Sequence, residues 1–147
     1  MEIILKPIGI IISPFNEKEQ TPIQSSRSQA IGRIEVAPEF SDGLQDIEGF
    51  SHIILLYVFH CAAKDTLQVR PFLDAQLHGV FSTRYPNRPN PIGLSVVRLL
   101  ARWENTLEIA GIDVLDGTPL LDIKPYIPEF DVYEASRIGW YASRRQA

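Results

Sequence analysis

Apolar residues in this chain come in short runs, each closed by glycine, proline or an Asp-Gly pair. Residues 3–13 are rich in β-branched side chains and predict a first strand ended by Ser13-Pro14. The chain then turns polar from Asn16 to Gln29, with a loop over residues 21–26. Residues 31–36 alternate apolar and polar side chains, the period of a half-buried strand. Residues 38–43 read as a turn or a single helical turn. Residues 53–59 form a continuous apolar run, whose length and branching predict a strand buried on both faces; a short buried helix is the alternative. A short edge strand is expected at residues 67–70, ended by Pro71. A long strand follows over residues 94–103, pairing through a Glu104-Asn105 turn with residues 106–112. After the Asp116-Gly117 turn, residues 120–123 make a last strand, and residues 132–147 predict a helix followed by a tail.

Many short strands joined by Gly and Pro turns indicate an all-β barrel or compact sandwich with short helical segments. The strand–helix–strand alternation of a doubly wound nucleotide fold is missing. At 147 residues the chain suits one domain, residues 1–147, with 45% hydrophobic and 22% charged residues, as in ordinary globular proteins. Its net charge of -4 and pI near 5.3 argue against bulk attraction to nucleic acid. The distribution is more telling. Between Asp74 and Glu104 no acidic residue occurs, whereas Arg84, Arg88, Arg98 and Arg102 do. A locally basic face would suit a small anionic or nucleotide ligand, or one defined piece of RNA; for Arg98 and Arg102, decoration of a solvated strand is the simpler expectation. The opening residues lack the basic start and cleavage site of a signal peptide, and no apolar run is long enough to span a bilayer, so a cytoplasmic location is expected.

The stretch Thr83-Arg-Tyr-Pro-Asn-Arg-Pro-Asn-Pro-Ile-Gly93 carries the candidate chemistry. Its prolines fix φ and remove backbone donors, giving a loop that is stiff before a ligand arrives. Arg84 and Arg88 offer planar forks for phosphate or carboxylate, and Asn87 and Asn90 can hydrogen-bond a base or an amide. A purely structural Pro-rich turn is the competing reading. The single cysteine, Cys61, permits no internal disulfide and is expected to be a buried, inert thiol. No metal site is expected: His52, His60 and His78 lack short ligand spacing, and His52 and His60 fall at the two ends of one predicted strand. G-x-G-x-x-G, P-loop, H-E-x-x-H and G-x-S-x-G motifs are absent.

Pro7-Ile-Gly-Ile-Ile-Ile-Ser-Pro-Phe15, Gly49-Phe-Ser-His52, Gly79-Val-Phe-Ser-Thr-Arg84, Arg88-Pro-Asn-Pro-Ile-Gly-Leu-Ser95, Leu115-Asp-Gly-Thr-Pro119 and Asp122-Ile-Lys-Pro-Tyr126 occur in that order. Together they resemble the TsaA-like (TrmO-type) family of S-adenosylmethionine-dependent tRNA methyltransferases. The resemblance implies a non-Rossmann β-barrel-like domain working as a homodimer. The implied reaction is methylation of N6 of threonylcarbamoyl-adenosine beside the anticodon of tRNA. It also implies cofactor contacts at Gln24, Ser25 and Ser26, at Phe59 and His60, at Arg84 and Leu94, and at Ala110, Gly111, Ile112 and Asp113. Ser25 and Ser26 depart from the proline and glycine often found there.

On that basis Arg84, Asp113 and Asn90 are the catalytic candidates. Arg84 and Arg88 are expected to face a threonyl carboxylate and RNA phosphates, Asn90 and Lys124 to orient the modified base, and Tyr126 to offer a stacking surface. A strand-end cap is the alternative for Asp113, and packing for Tyr126. Two other functions stay open: a non-catalytic RNA- or nucleotide-binding β-barrel module, and a methyltransferase acting on a small molecule.

Overall fold

The computed structural model describes residues 1–17, 20–22, 28–71 and 74–145. Among these described residues eight strands form: β1 (Gly9–Ile12), β2 (Ile31–Val36), β3 (His52–Val58), β4 (Gln68–Val69), β5 (His78–Gly79), β6 (Ile92–Trp103), β7 (Thr106–Ala110) and β8 (Thr118–Pro125). Two compact units result, one from residues 1–60 and 92–126, the other from residues 61–91 and 127–147.

The first unit is a closed antiparallel barrel of order β1-β2-β7-β6-β3-β8, with β8 pairing back onto β1. Closure gives one interior, and strand alternation decides what fills it. From β2 come Ile34 and Val36, from β3 Ile53, Leu55 and Tyr57, and from β7 Leu107 and Ile109, all buried. The outward residues Ile54, Leu56 and Val58 are half-buried, so β3 is covered fully on one face rather than on both. The first strand is shorter than its composition predicts. Ile8 still donates to the Leu120 carbonyl at 2.8 Å, but Pro7 has no N–H to continue the ladder, and Ile3, Ile4 and Leu5 stand exposed. At the other end of β3 the ladder stops at the Val58–Ile92 pair, because Pro91 precedes Ile92. His60 and Cys61 therefore lie beyond the strand, and Cys61 is exposed rather than buried. Residues 38–43 belong to a 3-10 helix, Pro38–Leu44.

Inside the barrel Gly93 sits opposite Tyr57, and a Cβ there would run into the Tyr57 ring and lie 2.7 Å from Phe59 Cζ. The missing side chain is what lets the two aromatic rings meet edge to face, centroids 5.5 Å apart.

The second unit holds the two-stranded β4–β5 sheet, a single turn α1 (Pro128–Asp131) and a 3-10 helix, Gly139–Arg144. Residues 132–145 are thus an irregular stretch followed by that short 3-10 helix, not the predicted helix and tail; Gly139, at φ 60°, adopts a left-handed conformation at its start. Trp140 fastens that turn by stacking on His78, centroids 5.0 Å apart, and donating to the Ser82 carbonyl at 2.8 Å. Asp74, its side chain almost fully buried, accepts from His78 at 2.9 Å and from Arg144 at 3.2 Å. The Gln76 backbone N–H first, then His78 and Arg144, hold the Asp74 carboxyl down to about 2 from its ordinary 3.8.

A carboxylate held low stabilises above its unfolded value and loses that contribution as pH falls through its folded value. The Gly139–Arg144 turn is therefore expected to stay docked above about pH 4 and to loosen towards pH 2, with Asp74→Asn loosening it at neutral pH. Amide exchange of residues 139–144 against pH reports both. Gly93→Ala is expected to destabilise the barrel by about 1–3 kcal/mol through overpacking, read from its urea midpoint.

Candidate active site

Antiparallel closure gathers the end of β1, the start of β2, the end of β3, the start of β6 and the end of β7 at one rim. Ala110, the last residue of β7, pairs with Arg98, three residues farther along β6 than Ser95. The residues after β7 consequently run back alongside the first half of β6 and deliver Asp113 to Ser95. Gly111 begins that run at φ 93°, where a side chain would be strained, and donates to the Ala30 carbonyl at 2.9 Å. Ser28 secures the next residue, donating to the Ile112 carbonyl at 2.6 Å and accepting from Ala30 N at 3.2 Å. Ser13 ties down Val114, donating to its carbonyl at 2.6 Å.

Asp113 is half-buried, and Ser95 donates to its Oδ1 at 2.6 Å. Ser95, 1% exposed, is in turn 2.7 Å from the Tyr57 hydroxyl. Phe59 covers Tyr57 at the same end of the barrel. Phe59, Ala110, Gly111, Ile112 and Asp113 thus converge at one rim, where a fixed carboxylate offers an acceptor. Gln24, Ser25 and Ser26 lie outside the described residues. His60 is exposed just past β3. Leu94, 52% exposed, stands on the outer barrel face opposite Leu56, turned away from the interior that holds Ser95. Lys124 and Tyr126 fall towards the other end, where Tyr126 N bonds the His52 carbonyl; Lys124 is ion-paired with Asp122 at 3.0 Å, and Tyr126 packs edge-on to His52. A groove of about 550 Å³ also lies at that end, but Glu39, Asp42, Asp46 and Asp122 line it and give it the wrong sign for a phosphate.

In the second unit the arginine loop is braced from within. Thr83 is buried and bonds the Val80 carbonyl at 2.8 Å, while Asn87 accepts from Ala63 N at 2.8 Å. Arg88 Nη1 donates to the carbonyls of Thr83 and Tyr85, at 2.9 and 3.2 Å, clamping the backbone on both sides of Arg84. Arg88 and Asn87 therefore shape the loop, whereas Arg84 and Asn90 are its exposed polar side chains. Arg102 is no mere surface decoration either: it donates to Leu44 O at 3.1 Å and pairs with Glu48. Among the described residues, no three His, Cys, Asp or Glu side chains come together as a metal site. No helix among them is long and apolar enough to cross a membrane.

Tyr57, Ser95 and Ser28 were not anticipated as site residues. The one sequence signal was Ser95 itself, a hydroxyl at an inward position of a strand whose neighbours at 93 and 97 also point inward.

The tRNA-methyltransferase O N-terminal domain family matches residues 10–132, a span that takes in the barrel and the arginine loop. The chain belongs to that family. It is 61% identical over 139 residues to a probable S-adenosyl-L-methionine-binding protein of Pyrococcus abyssi, covering 94% of this chain and 76% of the relative. It is 42% identical over 142 residues to the human tRNA (adenine(37)-N6)-methyltransferase, covering 88% of this chain but 31% of the human protein. A crystal structure of TrmO superposes with a TM-score of 0.81 at 44% identity, over 95% of this chain and 64% of that one. Of the barrel and the sandwich that the strand pattern allowed, the closed barrel is what forms, in keeping with the resemblance to TrmO structures.

Because Gly111 occupies a left-handed conformation in the segment that leads to Asp113, Gly111→Ala is expected to cost about 1–2 kcal/mol. Urea unfolding of the two proteins measures it.

Proposed function

We propose that this chain is an S-adenosylmethionine-dependent methyltransferase that modifies N6 of threonylcarbamoyl-adenosine beside the anticodon of tRNA. The observation that carries the proposal is the rim: Asp113, held by Ser95, beside the small residues Ala110 and Gly111, in a chain of a tRNA-methyltransferase family. The donor set fits the cofactor. A carboxylate matches its positively charged groups, and Phe59 gives an aromatic edge for packing.

When bound, the cofactor supplies an electrophilic methyl group on a sulfonium. The residues of the chain have to align the acceptor with it. N6 is a poor nucleophile, conjugated with both purine and carbamoyl carbonyl, so alignment is the larger contribution; proximity and orientation can supply about 7–11 kcal/mol. Phe59, His60 and residues 110–113, with Gln24, Ser25, Ser26 and Leu94, are assigned to the cofactor. Arg84 and Asn90 are assigned to the threonyl carboxylate and the modified base, and Arg88 serves mainly by holding Arg84 in place. Lys124 and Tyr126, towards the far end of the barrel, suit a long substrate such as RNA better than a small cofactor. The reading includes a cytoplasmic homodimer. The net charge of -4 supports recognition through defined contacts in place of bulk attraction.

Incubation with methyl-labelled cofactor and tRNA, with and without the threonylcarbamoyl group, tests the assignment. Label is expected in the modified tRNA alone. Label in a small-molecule fraction but no tRNA would move the site to that substrate class, and label nowhere, with RNA still bound, would make the chain a binding module.

A further inference from the structure

Among the described residues the polar residues buried as a whole are Thr83, Ser95 and Thr118. Thr83 and Thr118 each turn back to a carbonyl three residues earlier, Val80 and Leu115, as hydroxyls at turns commonly do. Ser95 does something different. Its partners are Tyr57 and Asp113, 38 and 18 residues away, on an inner surface otherwise built from Ile53, Leu55, Val97, Leu107 and Ile109. A hydroxyl there is costly unless paired, and an apolar residue would fill the position without that cost. The placement asks for a reason.

The direction of the hydrogen bonds supplies one. An ionised carboxylate only accepts, so the single Ser95 proton goes to Asp113 Oδ1, and Tyr57 must donate to Ser95 Oγ. The thread runs from core to rim: Tyr57 O–H to Ser95, Ser95 O–H to Asp113. Its inner end is fixed sterically, since Tyr57 fits because Gly93 has no Cβ and Phe59 lies against it at 88°. Its outer end is fixed by the backbone, since Ser28 and Ala30 hold residues 111 and 112 from the β2 side. Asp113 is therefore secured through its side chain from β6 and through its main chain from β2. A carboxylate needed only as a strand-end cap would call for neither.

We infer that Tyr57 and Ser95 are positioning residues for the Asp113 carboxylate, and that they set its orientation towards the bound cofactor. The inference rests on the S-adenosylmethionine reading above and adds the residues through which the fold controls that contact. Neither side chain has to touch the ligand. Their effect passes through Asp113, so it must vanish when Asp113 can no longer serve as the acceptor.

Calorimetric titration of the full chain with S-adenosylmethionine tests this, with thermal melts showing that each variant is folded. Ser95→Ala and Tyr57→Phe are expected to weaken binding, Ser95→Ala by about tenfold, the scale of one hydrogen bond to a charged group. Ser95→Thr keeps a hydroxyl and is expected to restore binding to within about twofold of wild type. In an Asp113→Ala background, which has no side-chain acceptor for Ser95, Tyr57→Phe is expected to change affinity no further, although it still lowers the melting temperature. If Ser95→Ala does not fold, Tyr57→Phe in the two backgrounds decides the matter. If Asp113→Ala abolishes binding altogether, the contrast of Ser95→Ala with Ser95→Thr decides it. Wild-type affinity in folded Ser95→Ala and Tyr57→Phe would overturn the inference alone, as would equal weakening by Tyr57→Phe with and without Asp113. No binding by the wild-type chain would overturn the proposed function, and this inference with it.

Discussion

Barrel closure is the constraint from which the rest of the first unit follows. β1 has only four residues, yet it pairs with β2 on one side and β8 on the other, and so removes the open edges a six-stranded sheet would have. A closed antiparallel barrel has a single interior and two rims, and strand direction decides which connections share a rim. Segments distant in sequence meet there. Ser13 at the exit of β1 bonds Val114 and Asp116 across more than a hundred positions, holding the connection that carries Asp113. The stagger between β6 and β7 then fixes how far that connection runs back along the barrel, and therefore which β6 side chain it meets.

Several polar side chains singled out in the sequence turn out to shape backbone. Arg88 spends Nη1 on two carbonyls of its own loop, Asn87 receives a backbone N–H from Ala63, and Arg102 closes on Leu44 and Glu104. Such contacts contribute little as surface electrostatics, but they fix loop conformation before a ligand arrives and so lower the ordering cost of binding. Arg84 shows the result: an exposed cation whose flanking carbonyls are both held. Two arginines four residues apart in one motif therefore have different work, and only geometry separates them.

The barrel interior carries the complementary lesson. Among the described residues it is apolar apart from Thr118, which turns back to Leu115, and one thread of hydroxyls leading to a carboxylate, and a glycine makes room for the ring that begins it. Packing and polarity are coupled at that point. Filling the space beside Gly93 would disturb Tyr57, and through Tyr57 the hydrogen bonds that end on Asp113. Stability of the core and orientation of a rim carboxylate rest on the same few atoms.

Local periodicity and proline chemistry determined a good deal in advance. Alternation in residues 31–36, the long run ending at Trp103, the Glu104-Asn105 turn and the Pro-rich loop all follow from side-chain period and backbone dihedrals, which neighbours in sequence control. The ordered motifs pointed to the family for the same reason: they are contiguous strings. Tertiary structure alone decided the true extent of β1, the exposure of Cys61, the outward turn of Leu94 and the placing of Lys124 and Tyr126 away from Asp113. It also decided that Tyr57, Ser95 and Asp113 form one chain. Those outcomes depend on which strands pair, in what register and with what stagger, and on where a proline ends a ladder; these are relations between distant segments, and a one-dimensional pattern carries no term for them.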